Sequence, residues 1–136
     1  MDAATGTTPL VVCGEINDGP GLDASQKRLF GSGIKRLLVN VWRPQLSLRN
    51  ALFDSLDEKD KRTLRFESLA TTSFTDPIFN RTTHREWIDH ILYTDNLGAP
   101  WVCGGRVAHT LPDGAKIWTK YKHASDHSPV AVDIDL

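Results

Sequence analysis

The sequence has no run of about 18 consecutive apolar residues, so it contains no candidate membrane-spanning helix. Its opening stretch, MDAATGTTPL, lacks both the basic and the apolar region of a secretory signal, and the expected location is cytoplasmic. There are only two cysteines, Cys13 and Cys103, too few for a disulfide framework. Each sits in an apolar stretch, VVCG and PWVCGG, so both are expected as reduced residues of the core, and metal binding through this pair alone is not expected. Neither sign of charge is in excess: 16 Lys and Arg against 17 Asp and Glu leave a formal net charge of -1. Proteins that bind nucleic acid through its phosphates generally carry a basic surplus, which argues against strong non-specific DNA binding. Repeats and low-complexity tracts are also missing. What remains is a chain of 136 residues, 40% hydrophobic and 24% charged, an ordinary globular composition that fits one domain.

Read along the chain, Pro9 to Cys13 is a short apolar run suited to a buried strand, after a polar arm over residues 1–8 that is expected to be flexible. Asn17 to Gly21, NDGPG, is dense in turn formers. Asp23 or Ser25 can cap a helix carrying Lys27 to Phe30, which Gly31 and Gly33 interrupt. Leu37 to Trp42 is a second apolar segment, and Leu46 to Leu56 carries a helix-like stripe. DEKDKR, residues 57–62, reads as a solvated face or loop. Thr63 to Leu69 alternates weakly, and Ala70 to Arg85 has no clear period and reads as a long loop. Trp87 to Tyr93, Trp101 to His109 and Val130 to Leu136 read as strands, with a turn at Pro112 to Gly114. Several strands with two helices predict a mixed α/β (α+β) chain.

Three clusters place ionisable residues at strand ends. In Gly14-Glu15-Ile16-Asn17-Asp18, an extended backbone would turn Glu15 and Asn17 to the same side, while Asn17-Asp18-Gly19 is also plain turn chemistry. In Trp87-Ile88-Asp89-His90-Ile91-Leu92, Asp89 is costly to bury unless paired, which makes it either a structural carboxylate held by amides or an orienter for a histidine. In Ser125-Asp126-His127-Ser128-Pro129-Val130, His127 stands just before a strand, where it is either a surface histidine or a group that protonates a phosphoryl oxygen. A fourth grouping, His84, Glu86, Asp89 and His90, fits no usual zinc spacing, and alternation separates Asp89 from the others. Lys116, Lys120, Lys122, His123, Arg81 and Arg85 flank the second and third clusters and are either phosphate contacts or solvated residues. Trp42, Trp87, Trp101 and Trp118 lie in apolar stretches and are expected in the core.

Taken in order, VVCGEIND, EWIDHILYT and SDHSPVAVDI resemble the C-terminal half of the endonuclease/exonuclease/phosphatase superfamily, the DNase-I-like metal-dependent phosphoesterases. The resemblance implies the C-terminal half of a four-layer αββα sandwich, with residues 1–136 as a partial domain of that kind. It implies hydrolysis of a phosphodiester or phosphomonoester, with Mg²⁺ (or Mn²⁺) as cofactor and a nucleic acid or small phosphoester as substrate. By motif position His127 contacts the scissile phosphate and is oriented by Asp89. Asn17 positions the phosphate or the attacking water, Glu15 takes the place of the water-activating Asp, and Asp126 and Glu15 lie at the metal. Two departures stand out. Glu15 is one methylene longer than the usual Asp, and a displacement of about 1 Å can cost about 100-fold in rate. The family's N-terminal half, with its Asn and its metal-ligand Glu, is not present in the sequence. The alternative expectation is therefore a catalytically inactive half-domain that self-associates or needs a complementing N-terminal half.

Overall fold

The computed structural model describes residues 8–19, 33–39, 47–63, 67–75, 81, 83–97, 102–111, 113–117 and 123–135. Seven strands run through them: β1 (Val11–Glu15), β2 (Leu48–Asn50), β3 (Thr72–Thr75), β4 (Thr83–Glu86), β5 (Asp89–Thr94), β6 (Val102–Val107) and β7 (Val130–Ile134). Three short helices accompany them, α1 (Gly33–Leu38), α2 (Ala51–Asp54) and α3 (Glu58–Thr63). The class is α+β, since every strand pairing is antiparallel: β1-β5-β2 form one sheet, and β3-β4 and β6-β7 form two ribbons. Among the described residues no helix is long and apolar enough to cross a membrane.

The segment read as a strand over 87–93 holds β5, the central strand of its sheet. Ile91 and Tyr93 cluster with Ala51 and Leu97, and the half-buried Val102, Val130 and Val132 of the β6-β7 ribbon pack against them. On the opposite face His90 and Leu92 are fully buried. Leu52, Leu69 and Trp87 form a second cluster, which also touches Val107 and Val130. Trp87 is thus a core residue as expected, whereas Trp42, Trp101 and Trp118 lie outside the described residues.

Several expectations are corrected. The stretch read as a loop from Ala70 to Arg85 contains β3 and all of β4 but its last residue, paired from Thr72↔Glu86 to Thr75↔Thr83. Its threonines have strand propensity without apolar alternation, which is why periodicity missed it. The stripe from Leu46 to Leu56 is split into β2 and α2 at Asn50, whose side-chain oxygen accepts from the Leu52 and Phe53 amides and so starts the helix there. Residues 58–63 of the charged segment are helical as α3 and bury none of their residues, so the solvated face is an exposed helix. In place of the weak strand from Thr63 to Leu69, the chain has the end of α3 and a 3₁₀ turn at Glu67–Leu69, with residues 64–66 outside the described residues. Leu37 belongs to α1 with Val39 exposed just after it, while the helix expected near Lys27 to Phe30 lies outside the described residues. Cys13 and Cys103 are exposed, not core: each lies on an outer strand of its sheet with the side chain in solvent. Alternation placed Ile134 with Val130 and Val132, but at the end of β7 it is 39% exposed.

Two glycines are required by the ribbon. Between Cys103↔Asp133 and Arg106↔Ala131, β6 carries one residue more than β7, a bulge in which Gly104 takes φ +64°. Gly105 lies against α2, and a Cβ there would sit 2.2 Å from the Ala51 oxygen. The close approach lets the Gly105 amide donate to Ser55 Oγ (2.7 Å), whose hydroxyl donates to the Ala51 carbonyl (2.8 Å).

A buried polar chain ties the sheet to both α1 and α2. Asn50 Oδ1 accepts from the helix amides, so its Nδ2 donates to His90 Nδ1 (3.0 Å). His90 must then carry its proton on Nε2, which donates to the Asp18 carbonyl (2.8 Å). The Asp18 carboxylate in turn accepts from the Ile34 amide at the start of α1 (2.9 Å). Burial pushes the His90 pKa below its usual value, against opposing contributions from its bond to Asp18 and the charges of Asp89 and Asp18.

Gly105→Ala is expected to destabilise the chain by about 1–3 kcal/mol, because the new methyl meets backbone and not a yielding side chain, and urea unfolding measures it. Below pH 6.5 the unfolded state holds more protons at His90 than the folded state, so stability falls as pH drops, by up to about 1.4 kcal/mol per unit until the lowered folded value is reached. Urea midpoints between pH 7.5 and 5.5 should show this decline, and His90→Gln, weaker at pH 7.5, should flatten it. A wild-type midpoint that rises toward pH 5.5 would contradict the assignment.

Candidate metal and acid–base site

The β1–β5 register pairs Val11 with Tyr93 through to Glu15 with Asp89. Ile16 donates to the Ile88 carbonyl (2.9 Å), so by alternation Glu15↔Asp89 is a non-hydrogen-bonded pair, the kind whose side chains lie closest. Directly opposed residues share a face, and two carboxylates so placed repel one another. Asp89 also shares its face of β5 with Ile91 and Tyr93, the face on which β7 packs. That face meets the chain just ahead of β7, where His127 stands.

His127 Nδ1 lies 2.8 Å from Asp89 Oδ2. A carboxylate can only accept, so Nδ1 carries the proton and Nε2 is the ring's outward nitrogen, 3.9 Å from Asp126 Oδ1. The pair is set back from solvent, with side-chain exposures of 24% for His127 and 16% for Asp89, against 86% for Asp126. The His127 amide donates to Ser125 Oγ (3.0 Å), a local turn that fixes the approach.

Ligand atoms of Glu15, Asp89 and His127 lie within 4.8 Å of one another, and this is the group of possible metal ligands found among the described residues. Two carboxylates and an imidazole are a donor set suited to a divalent cation. Ligands on opposite sides of an ion bound at about 2.1 Å are about 4.2 Å apart, so closure needs only a small side-chain adjustment. His84, Glu86 and His90 do not belong to this group, and His90 is committed to Asn50 and Asp18.

Of the residues named from the sequence, the fold brings Glu15, Asp89 and His127 together, with Asp126 at the rim. Asn17 is exposed with φ +54°, so the backbone after Glu15 turns and the same-side expectation for an extended chain does not hold. Lys116, His123, Arg81 and Arg85 are exposed, and Lys120 and Lys122 lie outside the described residues.

Sequence reading missed the residues that hold this group. Trp87 Nε1 donates to the Asp89 carbonyl (3.0 Å), and the hydroxyl of the fully buried Thr71 accepts from the amides of Ile88 (3.2 Å) and Asp89 (3.3 Å). Thr72 bridges His127, and its hydroxyl donates to the Asp126 carbonyl (3.2 Å). The consecutive threonines of ATTSFT were the available signal, but a buried threonine resembles any strand residue until its partners are known. No family model, curated protein or solved structure matches the chain.

Titration with Mn²⁺ is expected to broaden the NMR signals of Glu15, Asp89 and His127 ahead of the rest of the protein. Glu15→Gln should weaken binding by about tenfold or more, since it removes a charged donor. Uniform broadening, or unchanged affinity in the variant, would speak against a shared cation site.

Proposed function

We propose that the chain is a metal-dependent phosphoesterase of the DNase-I-like class, built on that class's αββα architecture and hydrolysing a phosphodiester or phosphomonoester. The observation that carries this reading is the juxtaposition of Glu15, Asp89 and His127 from three motifs whose sequence order resembles that of the superfamily. A purely structural Asp89, its carboxylate accepting from His127 and its amide taken by the Thr71 hydroxyl, has no need of a second carboxylate across the ladder. A centre that handles phosphate and a cation does.

His127 performs the proton chemistry. Asp89 holds the Nδ1–H, fixes the ring plane and stabilises the imidazolium, so Nε2 presents either a lone pair to a water or a proton to a phosphoryl oxygen. Glu15, beside Asp89 at the end of β1, orients and activates the attacking water, and Asp126 faces the rim near Nε2. Glu15 and Asp89 would hold the cation, Mg²⁺ or Mn²⁺, with the exposed Asp126 at the rim, and the bound ion would neutralise charge building on the phosphoryl oxygens. Asn17, in its left-handed turn just beyond Glu15, positions the phosphate. Catalysis of this kind rests on placement and electrostatics, with no covalent intermediate on the protein.

A second reading, a non-catalytic half completed by another chain, draws on Leu10, Val11 and Val12, each 39–40% exposed at β1.

The test is hydrolysis of bis-p-nitrophenyl phosphate, p-nitrophenyl phosphate and a short oligonucleotide with Mg²⁺ or Mn²⁺. The expected outcome is cation-dependent turnover that His127→Ala lowers by about 10²–10⁴-fold. A folded protein inactive on the whole panel overturns the enzymatic reading, and light scattering that then shows a dimer favours the second.

A further inference from the structure

We propose that Thr71 is the positioning residue of the Asp89–His127 pair. Its catalytic consequence rests on the phosphoesterase reading; its geometry stands apart from it. β2 ends at Asn50, opposite Leu92, so β5 loses its strand neighbour on that side before it reaches Asp89. The Glu15↔Asp89 pair is of the non-hydrogen-bonded kind, so the Asp89 amide points away from β1, toward the side β2 has left. A half-buried amide there needs an acceptor, and the Thr71 hydroxyl supplies it, taking the Ile88 amide as well.

The same residue grips the other half of the pair. The Thr71 carbonyl accepts from the Ser128 amide (2.6 Å), immediately after His127, and the Thr71 amide donates to the Glu86 carbonyl (2.8 Å). One fully buried residue thus clamps the chain at 86, at 88–89 and at 128, segments far apart in sequence. The spacing between Asp89 and His127 is set by what Thr71 holds on each side. The backbone bonds survive any substitution at 71 other than proline, whereas the hydroxyl bonds are lost with the side-chain oxygen. The hydroxyl therefore acts on the Asp89 side of the pair alone, and its loss shifts the carboxylate relative to the imidazole.

The experiment uses the full chain with Thr71→Val, Thr71→Ser and Thr71→Ala. Valine keeps the shape and strands two amides; serine and alanine both lose the methyl and differ from each other only by the oxygen. Nitrogen-15 and proton NMR of the His127 ring reports the Nδ1–H held by Asp89, and kcat and KM on the phosphoester panel report the catalytic effect. Thr71→Val is expected to abolish the wild-type Nδ1–H signature and to lower kcat by about 100-fold with KM unchanged, while Thr71→Ser retains both. Should Thr71→Val not fold, the comparison of Thr71→Ala with Thr71→Ser decides: a difference in the ring signature supports the role, and identical spectra overturn it. A folded Thr71→Val with the wild-type ring signature and kcat also overturns it. If the wild type hydrolyses nothing, the function above fails, and the ring spectra alone still decide whether Thr71 positions the pair.

Discussion

The register between β1 and β5 is the constraint from which the site follows. Five consecutive pairs, Val11↔Tyr93 to Glu15↔Asp89, leave no freedom at the last one: once the apolar pairs are seated, the two carboxylates must face each other. A slip of one residue would carry Asp89 to the opposite face and expose Ile91 and Tyr93, which pack on the β6-β7 ribbon. Core packing thus enforces a local arrangement that charge alone disfavours. The ribbon whose valines cover that face also delivers His127, because β7 begins only three residues later.

Polar groups around the sheet serve as fixed clamps. Asn50 caps α2 with its oxygen and holds His90 with its nitrogen, and His90 passes the connection to the backbone at Asp18, three residues beyond Glu15. On the other side Thr71 and Trp87 hold the backbone of Asp89 by its amide and its carbonyl. The Asn50 side chain, the His90 ring and the Thr71 hydroxyl are each buried with hydrogen-bond partners, which offsets the cost of burying them. The backbone on either side of the Glu15–Asp89 pair is therefore held by side chains that do not themselves belong to the site.

Legibility from the sequence tracked apolar strand-forming residues. The segments read as strands over 87–93 and 130–136 hold β5 and β7, marked by their β-branched and aromatic residues, although β5 is buried on both faces and so lacks a strict period of two. β3 and β4 are harder to read, since TSFT and THRE form a ribbon whose stability comes from pairing and from its seat beside the core, with few apolar residues to mark it. The stop at Asn50 was hidden for a related reason: the residues on both sides fit one helical stripe, and only the cap geometry separates β2 from α2. Cys13 and Cys103 show the converse limit, an apolar neighbourhood in sequence that the position at a sheet edge leaves in solvent.

For the site, the sequence by itself determined the candidates: Glu15, Asn17, Asp89, Asp126 and His127 stand out because ionisable or carboxamide side chains interrupt strand patterns at their ends. Tertiary structure alone decided that Glu15, Asp89 and His127 converge, that Asp126 stays at the rim, that Asn17 turns away from an extended course, and that Thr71 joins the segments. The physical reason is the range of the information. Side-chain type and alternation are local, whereas strand register and the capture of an amide by a distant hydroxyl depend on segments up to 112 residues apart, as Glu15 and His127 are, meeting in one core.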